Sequence, residues 1–385
     1  MHRYILTLIV LVFSVLVACD DSTDDSHSNA DIDVYQQKTG LSLDTLRKWN
    51  TYVQSSDTGL WENDPEHSPI FERVAVFGGE DDLSPPFFNP LFIHVISDTM
   101  MIADEATQEL VCMSSNGEVF WKAGDSGEGP GHFHGIGTIT SADTLIAVAN
   151  TGLDRIDIFS CSGEFIRTVS IQSPEDLVGL SDTTIIVLSG TESDGDVHIV
   201  NLVTGDFDSF GEIEEDPEMV INMRFRDNLR GALISPEILA VVSRYEHKLY
   251  IFNLETQNLI FSGIRELPSE PARPYQSFNE ETGYLTTIMF PSIGGVFTGP
   301  EGMINIVVDE YQNDGSLLHD NRYIDYAPVT VIDRYNSNGE YLDSYCLPDS
   351  CISWVRRLPP DMLVGRQQGT GLVIVYRPWN AEGNE

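Results

Sequence analysis

Length and charge set the first limits on this chain. It has 385 residues, of which 60 are Asp or Glu and 21 are Lys or Arg, so its formal net charge is −39. Such an acidic protein is repelled by phosphate backbones, which argues against nucleic acid as a partner. The length is sufficient for one large β domain with a well-buried core.

Most of the basic residues are Arg, because the sequence contains only four Lys: Lys38, Lys48, Lys122 and Lys248. An acidic, Lys-poor surface is tolerated in concentrated salt, where screening shortens the range of charge repulsion. The composition therefore indicates a saline habitat, and an acidic secreted protein is the alternative interpretation.

Residues 1–18 have the pattern of a cleaved export signal. The apolar run Tyr4 to Leu16 is too short for a permanent membrane helix, which needs about 20 residues. The run ends in Leu16-Val17-Ala18-Cys19, which resembles the bacterial lipobox, whose Cys carries a lipid. This resemblance implies lipidation of Cys19 and a membrane anchor. An ordinary secretory signal with a chance Cys is the alternative.

Residues 19–40 are polar and acidic, cannot bury enough surface to fold, and are expected to form an extended tether. An Asp after the lipidated Cys resembles inner-membrane retention, whereas an acidic run resembles a surface-export signal of Bacteroidetes. The expected location is therefore the cell envelope, facing the periplasm or the cell surface. Within residues 41–68, the spacing over Leu41 to Val53 predicts a short helix with Ser42 as N-cap.

Residues 124–166 carry the clearest repeat. A Gly-rich loop ends in Phe133, and β-branched runs separated by tight turns follow, including the run from Arg155 to Phe159. Four short strands joined by tight turns are typical of one β-propeller blade. The pattern resembles the NHL repeat and TolB-like propellers. This resemblance implies an all-β propeller. Phasing of the repeats, with one blade completed by a strand from the amino-terminal side, predicts six blades over residues 69–378, followed by a tail at 379–385.

The blades can be phased by their turns. The segment from Asp98 aligns with the segment from Asp143, which pairs Asp104 with Asn150 and Gly117 with Gly163. The last copy supplies only three strands. The strand Phe71 to Phe77 is therefore expected to complete it and to close the ring, which removes an open sheet edge.

Three insertions, at 212–218, 265–284 and 311–327, are expected on one face of the ring, and the last two are rich in residue types common at binding hot spots. This face is expected to bind an envelope protein, a peptide or a glycan; the alternative is that the loops only cover the ring. Clustered arginines could also form an anion site in the channel, or could pair with internal carboxylates. The clusters are Arg224 with Arg226, Arg230 with Arg244, and Arg356, Arg357 and Arg366 of the last blade. The candidate binding residues are Arg224, Arg226, Arg273, Tyr275, Tyr311, His319, Arg322 and Tyr323.

No cofactor and no catalytic residue are expected in the binding interpretation. The runner-up function is a metal-dependent hydrolase or lyase, because Asp104, Asn150 and Asp309 occupy matching strand ends. Six-bladed lactonases of the gluconolactonase type hold a divalent cation with such residues, so the resemblance implies a cation there. Capping of a turn by these side chains is the competing interpretation, and a structural envelope protein is a third functional class.

Three further motifs have structural alternatives. The Pro and Asp between Cys346 and Cys351 favour a turn that a disulfide would close in an oxidising compartment. The protease-like run Gly124 to Gly127 lacks a partner His motif and is expected to be part of the repeat. His132 and His134 are expected to pack in a loop rather than to bind a metal.

Overall fold

The computed structural model describes residues 71–78, 87–189, 195–213, 229–243, 248–264, 275–279, 284–288, 292–309, 330–349, 352–367 and 370–378. The expected signal, tether, helix and tail lie outside these ranges. Within them, the helical elements are two short 3₁₀ turns, Thr151–Leu153 and Pro300–Gly302. No described helix is long and apolar enough to cross a membrane.

The described strands form six four-stranded antiparallel sheets and one separate hairpin. The first described strand is β1 (Phe71–Gly78). Blade 1 contains β2 (Pro90–Ile96), β3 (Thr99–Asp104), β4 (Glu109–Ser114) and β5 (Val119–Ala123). Blade 2 contains β6 (Ile136–Ala142), β7 (Leu145–Asn150), β8 (Arg155–Ser160) and β9 (Phe165–Ser170). Blade 3 contains β10 (Pro174–Gly179), β11 (Thr184–Ser189), β12 (Val197–Asn201) and β13 (Phe207–Phe210).

Blade 4 contains β14 (Leu229–Ser235), β15 (Ile238–Ser243), β16 (Lys248–Asn253) and β17 (Asn258–Ile264). The hairpin follows, with β18 (Tyr275–Asn279) and β19 (Tyr284–Ile288). Blade 5 contains β20 (Ser292–Thr298), β21 (Ile304–Asp309), β22 (Thr330–Tyr335) and β23 (Tyr341–Leu347). Blade 6 contains β24 (Ile352–Leu358), β25 (Met362–Gln367) and β26 (Leu372–Pro378), and β1 is its fourth strand.

The first strand of each blade is innermost. Each of these six strands, β2, β6, β10, β14, β20 and β24, contacts the corresponding strand of the blades on both sides, so the contacts run round a closed ring. The second strands are buried on both faces, since each sheet packs between two others. This explains why β7 and β11 are continuous apolar runs rather than alternating ones. The fold is thus an all-β, six-bladed propeller.

The predicted closure of the ring is confirmed. Strand β1 pairs antiparallel with β26, from Phe71 opposite Pro378 to Gly78 opposite Leu372. Phe77 is buried in a cluster with Val373 and Val375. The carboxylate of buried Asp349 accepts hydrogen bonds from Arg73 of β1 and from the Tyr376 hydroxyl of β26.

The repeat alignment is also visible in the turns between third and fourth strands. Blades 1, 2, 3 and 5 each have a glycine in this turn, with a positive φ between 83° and 90° that favours glycine. These residues are Gly117, Gly163, Gly205 and Gly339. At Gly163, a Cβ atom would lie 2.7 Å from the Trp121 ring of the preceding blade. The turn glycine therefore sets the turn and also allows neighbouring blades to pack.

The strand bounds test two of the expected insertions, the second and the third. The strands β21 and β22 end and begin at Asp309 and Thr330, so the third insertion separates them as expected. The second was expected to be a loop, but part of it forms the hairpin β18–β19, in register from Tyr275 opposite Ile288 to Asn279 opposite Tyr284. Tyr and Phe in β18, and Tyr, Thr and Ile in β19, favour extended backbone, which is consistent with the pairing.

Deletion of residues 71–78 is expected to cause aggregation or unfolding. It removes the fourth strand of blade 6, exposes the backbone groups of β26 and leaves the carboxylate of Asp349 without Arg73. Thermal unfolding and size-exclusion chromatography measure the effect. Deletion of residues 20–30 is the control and should leave the melting temperature unchanged. A variant without 71–78 that melts like the parent would contradict the closure.

Candidate functional site

The central channel contains a cavity of about 210 Å³. All six inner strands contribute to its wall, through residues that include His94, Thr140, Leu233, Thr298 and Arg356. In each strand the lining residues come from the third position onward, so the cavity lies in the half of the channel nearer the turn to the second strand. Its wall combines apolar and polar groups in about equal measure.

Aromatic side chains from two blades meet close to this cavity. The Phe92 ring lies edge-on to the Trp354 ring, with their centroids 4.6 Å apart. The guanidinium carbons of Arg230 and Arg356 lie 4.6 Å and 5.2 Å from the centroid of the Trp354 ring, which is cation–π distance. Trp354 thereby links the two arginines from blades 4 and 6.

A bulge in β24 produces this arrangement. The pairing of β24 with β25 shifts register between Ser353 and Arg356. At the bulge, Trp354 has a φ of 53°, which a bulky side chain rarely adopts. Bulges often redirect side chains beside functional sites. Here the bulge directly precedes Arg356.

Polar side chains join adjacent blades around the channel. The Gly231 amide of blade 4 donates to Asp176 Oδ2 of blade 3 at 2.8 Å. Thr298 Oγ1 of blade 5 donates to the Leu233 carbonyl at 2.7 Å. Three further bonds join blades 5 and 6, blades 6 and 1, and blades 1 and 2: Arg356 Nη1 to the Val296 carbonyl, Arg366 Nη1 to the Pro90 carbonyl, and His94 Nε2 with Ser141 Oγ. Blades 2 and 3 are joined by Thr138 Oγ1 and the Glu175 carbonyl.

Burial changes the acidity of the charged groups here. It raises the pKa of the Asp176 carboxyl, although Arg230, Arg356 and two backbone amides act in the opposite direction. Burial also lowers the pKa of Arg356, against the attraction of Asp176. The pKa of His94 falls to about 3, first because of burial and then because of the charge on Arg356. His94 is therefore a neutral hydrogen-bonding group at neutral pH.

The depressed pKa of His94 predicts a pH dependence of stability. Since its pKa is 6.5 in the unfolded chain, the His94 contribution is fully present above pH 6.5 and is lost as pH falls towards 3. The free energy of unfolding of the wild type, relative to that of His94→Gln, should fall by about 1 kcal/mol per pH unit below pH 6. Urea denaturation between pH 5 and 8 measures it.

His132→Gln is the control, because His132 is exposed in a loop. Its pH profile should follow that of the wild type. If the His94→Gln profile also follows the wild type, then His94 is not buried as a neutral group.

The residues of the alternative metal site make local bonds. Asp104 accepts hydrogen bonds from the amides of Phe88, Asn89 and Ala106, at 2.8 to 3.1 Å. Asn150, at the matching position of blade 2, accepts from the His134 amide and donates to the His132 carbonyl and to Asp157. Each side chain thus holds the loop that leads into its own blade. The side chain of Asp309 lies outside the described part.

The Gly-rich loop of blade 2 is held by its own repeat. Phe133 is fully buried, and a Cβ atom on Gly124 would lie 2.3 Å from its ring. Arg155 donates to the carbonyls of Glu128, Gly129 and His132. The protease-like run is therefore a structural loop. His132 and His134, on either side of Phe133, are exposed, and no cluster of three or more His, Cys, Asp or Glu suited to a metal occurs among the described residues.

Several predicted residues lie outside the described residues: Cys19, Arg224, Arg226, Arg273, Tyr311, His319, Arg322, Tyr323 and Cys351. Only the backbone is described for Tyr275, in β18, and for Cys346, in β23. The disulfide and the binding face of the insertions therefore stay predictions from the sequence.

No family model matches the chain, and no curated protein matches it. Solved structures show similarity of fold. A member of the DUF4221 family from Bacteroides vulgatus has a TM-score of 0.51 at 11% identity, covering 80% of this chain and 98% of that one. BamB from Moraxella catarrhalis has a TM-score of 0.45 at 13% identity, covering 80% and 100%. Hydrazine synthase from Kuenenia stuttgartiensis has 0.49 at 8%, covering 75% and 76%. The similarity to the DUF4221 protein supports the propeller fold.

Sequence reasoning did not select His94, Asp176 or Trp354, and it noted Arg356 only as part of an arginine cluster. One signal was present in the repeat. His94, Thr140 and Arg356 are each the fifth residue of a seven-residue inner strand. Polar residues at a repeated position of innermost strands indicate a polar channel wall.

Proposed function

We propose that the protein is a lipid-anchored binding module of the bacterial cell envelope, which holds a small ligand in the channel of its propeller. The observation that carries the proposal is the cavity of about 210 Å³ with wall residues from all six blades. A concave, largely apolar space with a few convergent polar groups is the usual form of a ligand site. The rigid ring fixes the positions of those groups.

The low pKa of His94, which makes its imidazole a weak base, favours binding over hydrolysis at this pair. His94 Nε2 lies 2.9 Å from Ser141 Oγ, an arrangement that could serve a nucleophile and its base. A general base works best with a pKa near the working pH. At a pKa of about 3, His94 is too weak a base to activate a hydroxyl efficiently. The pair is better suited to orienting a bound ligand and to joining blades 1 and 2.

The envelope location rests on the amino-terminal sequence, in which the apolar run ends at Cys19 and an acidic stretch follows. The macromolecular partner expected on the insertion-bearing face remains a prediction. Its support is the strand order, because the insertions 212–218 and 265–284 precede the inner strands β14 and β20, and 311–327 lies between the second strand β21 and the third strand β22. Such connections share one face of a propeller.

Filling the cavity tests the channel site. Leu233 lines the cavity and is partly exposed there, so Leu233→Trp should place an indole ring in the space of the ligand. Saturation-transfer NMR, with the full protein and a small-molecule extract of its native envelope, should show bound signals that Leu233→Trp weakens at least about tenfold, a loss of ~1.4 kcal/mol.

Leu259→Trp is the matched control, because Leu259 lies on the outer strand of the same blade and is 46% exposed. It should retain the signals of the wild type. Equal loss in both variants, or no loss in either, would place the ligand outside the channel. Absence of bound signals from the wild type would refute small-molecule binding.

The anchor has its own test. Cys19→Ala should release the protein from membranes without changing its melting temperature, because the lipid is attached through the thiol of Cys19. Incorporation of labelled fatty acid, followed by membrane fractionation, measures the change. Equal labelling of wild type and variant would disprove lipidation at this residue.

A further inference from the structure

The charges around the cavity are unlike those of the whole chain. The acidic residues of the sequence number 60, yet the charged residues that line the cavity are Arg356 and Arg357. Arg357 is exposed and forms an ion pair with Asp361. The cavity wall within the described residues therefore carries positive charge, with Arg356 as its enclosed member.

Arg356 has bonds to backbone but no salt bridge in the described ranges. Its Nη1 donates to the carbonyls of Val296 and Val355, at 3.2 and 3.1 Å. No ion pair joins it to a carboxylate of a described residue. A guanidinium has five N–H donors, so the two carbonyls leave part of its donor capacity unused. The guanidinium carbon also lies 5.2 Å from the centroid of the Trp354 ring, and Arg356 is one of the residues that line the cavity.

The neighbouring charged groups are already engaged. Asp176 attracts Arg356 electrostatically, but its two oxygens accept the amides of Leu177 and Gly231. Glu175 accepts the amide of Leu229 at 3.0 Å. Neither carboxylate lines the cavity. Since a buried cation needs a compensating partner, an anion within the cavity would complete the interactions of Arg356.

The remaining wall limits the kind of anion. Val95, Ile139, Leu177, Ala232 and Phe297 supply its apolar part. Phosphate needs several donors, whereas a carboxylate matches one guanidinium in a planar, two-bond arrangement. Cavities of about 150 Å³ hold benzene, so this larger one has room for about eight non-hydrogen atoms.

We infer that the channel binds a short apolar monocarboxylate, whose carboxylate pairs with Arg356 and whose chain lies against the apolar wall. This inference rests on the proposed channel site and adds the chemical class of the ligand. Arg356 recognises the negative charge of the ligand, and the volume of the cavity limits the length of its carbon chain.

The test uses probes of equal length on the full protein. Isothermal titration calorimetry should detect hexanoate, and should show at least tenfold weaker binding of 1-hexanol, hexylamine and inorganic phosphate. Arg356→Gln should weaken hexanoate binding at least tenfold and leave 1-hexanol unchanged. Arg377→Gln removes an arginine from an exposed ion pair on β26 and should bind hexanoate like the wild type.

Arg356→Lys keeps a positive charge and should bind hexanoate with intermediate affinity. Its affinity for hexanoate tests the inference if Arg356→Gln unfolds. Equal affinity for hexanoate and 1-hexanol, tighter binding of phosphate, or unchanged affinity in both Arg356 variants would overturn the inference. No detectable binding of hexanoate would also overturn it. The Leu233→Trp result separates these failures, since a channel that binds 1-hexanol in a Leu233-dependent manner remains a ligand site.

Discussion

The pairing of β1 with β26 is the constraint on which the rest of this structure depends. Six blades can surround an axis only if the first and last are held together, and the two strands that do this are separated by nearly the whole described chain. Their register from Phe71 to Gly78, and the sharing of the Asp349 carboxylate by Arg73 and Tyr376, fix the last blade. Without that closure the inner strands would have no common axis, and the cavity would have no continuous wall.

Closure of the ring also leaves backbone polar groups along the channel without a partner strand. Inner strands have a sheet neighbour on one edge only, so backbone groups on the other edge need partners from side chains. Asp176, Thr298 and Arg356 supply bonds across three of the joints between blades. Thr298 and Arg356 also line the cavity, so they both stabilise the ring and supply polar groups to the cavity wall. The bulge at Trp354, where φ is 53°, lies directly before Arg356.

The distribution of charge gives the channel its chemical character. The net charge of −39 favours solubility and repels polyanions, but it does not describe the axis of the ring. Arg230 and Arg356 lie against Trp354, and burial keeps His94 neutral. Low-dielectric surroundings make each of these charges count for more than it would on the surface. The proposed binding role in the channel rests on this local contrast rather than on the fold, which supports many functions.

The sequence by itself was enough to predict the repeat, the all-β fold class, the closing strand and the equivalent positions of Asp104 and Asn150. All of these depend on local signals: apolar runs, turn glycines and spacing along the chain. The hairpin β18–β19 was missed because an insertion has no repeat partner for comparison. The channel residues were decided only by tertiary structure. His94, Asp176, Arg230 and Arg356 come from four different blades, and their distances, burial and mutual pKa effects arise only when the ring closes. The repeated fifth position marks polar residues of the inner strands, but spacing along the chain does not give the distances between side chains from different blades.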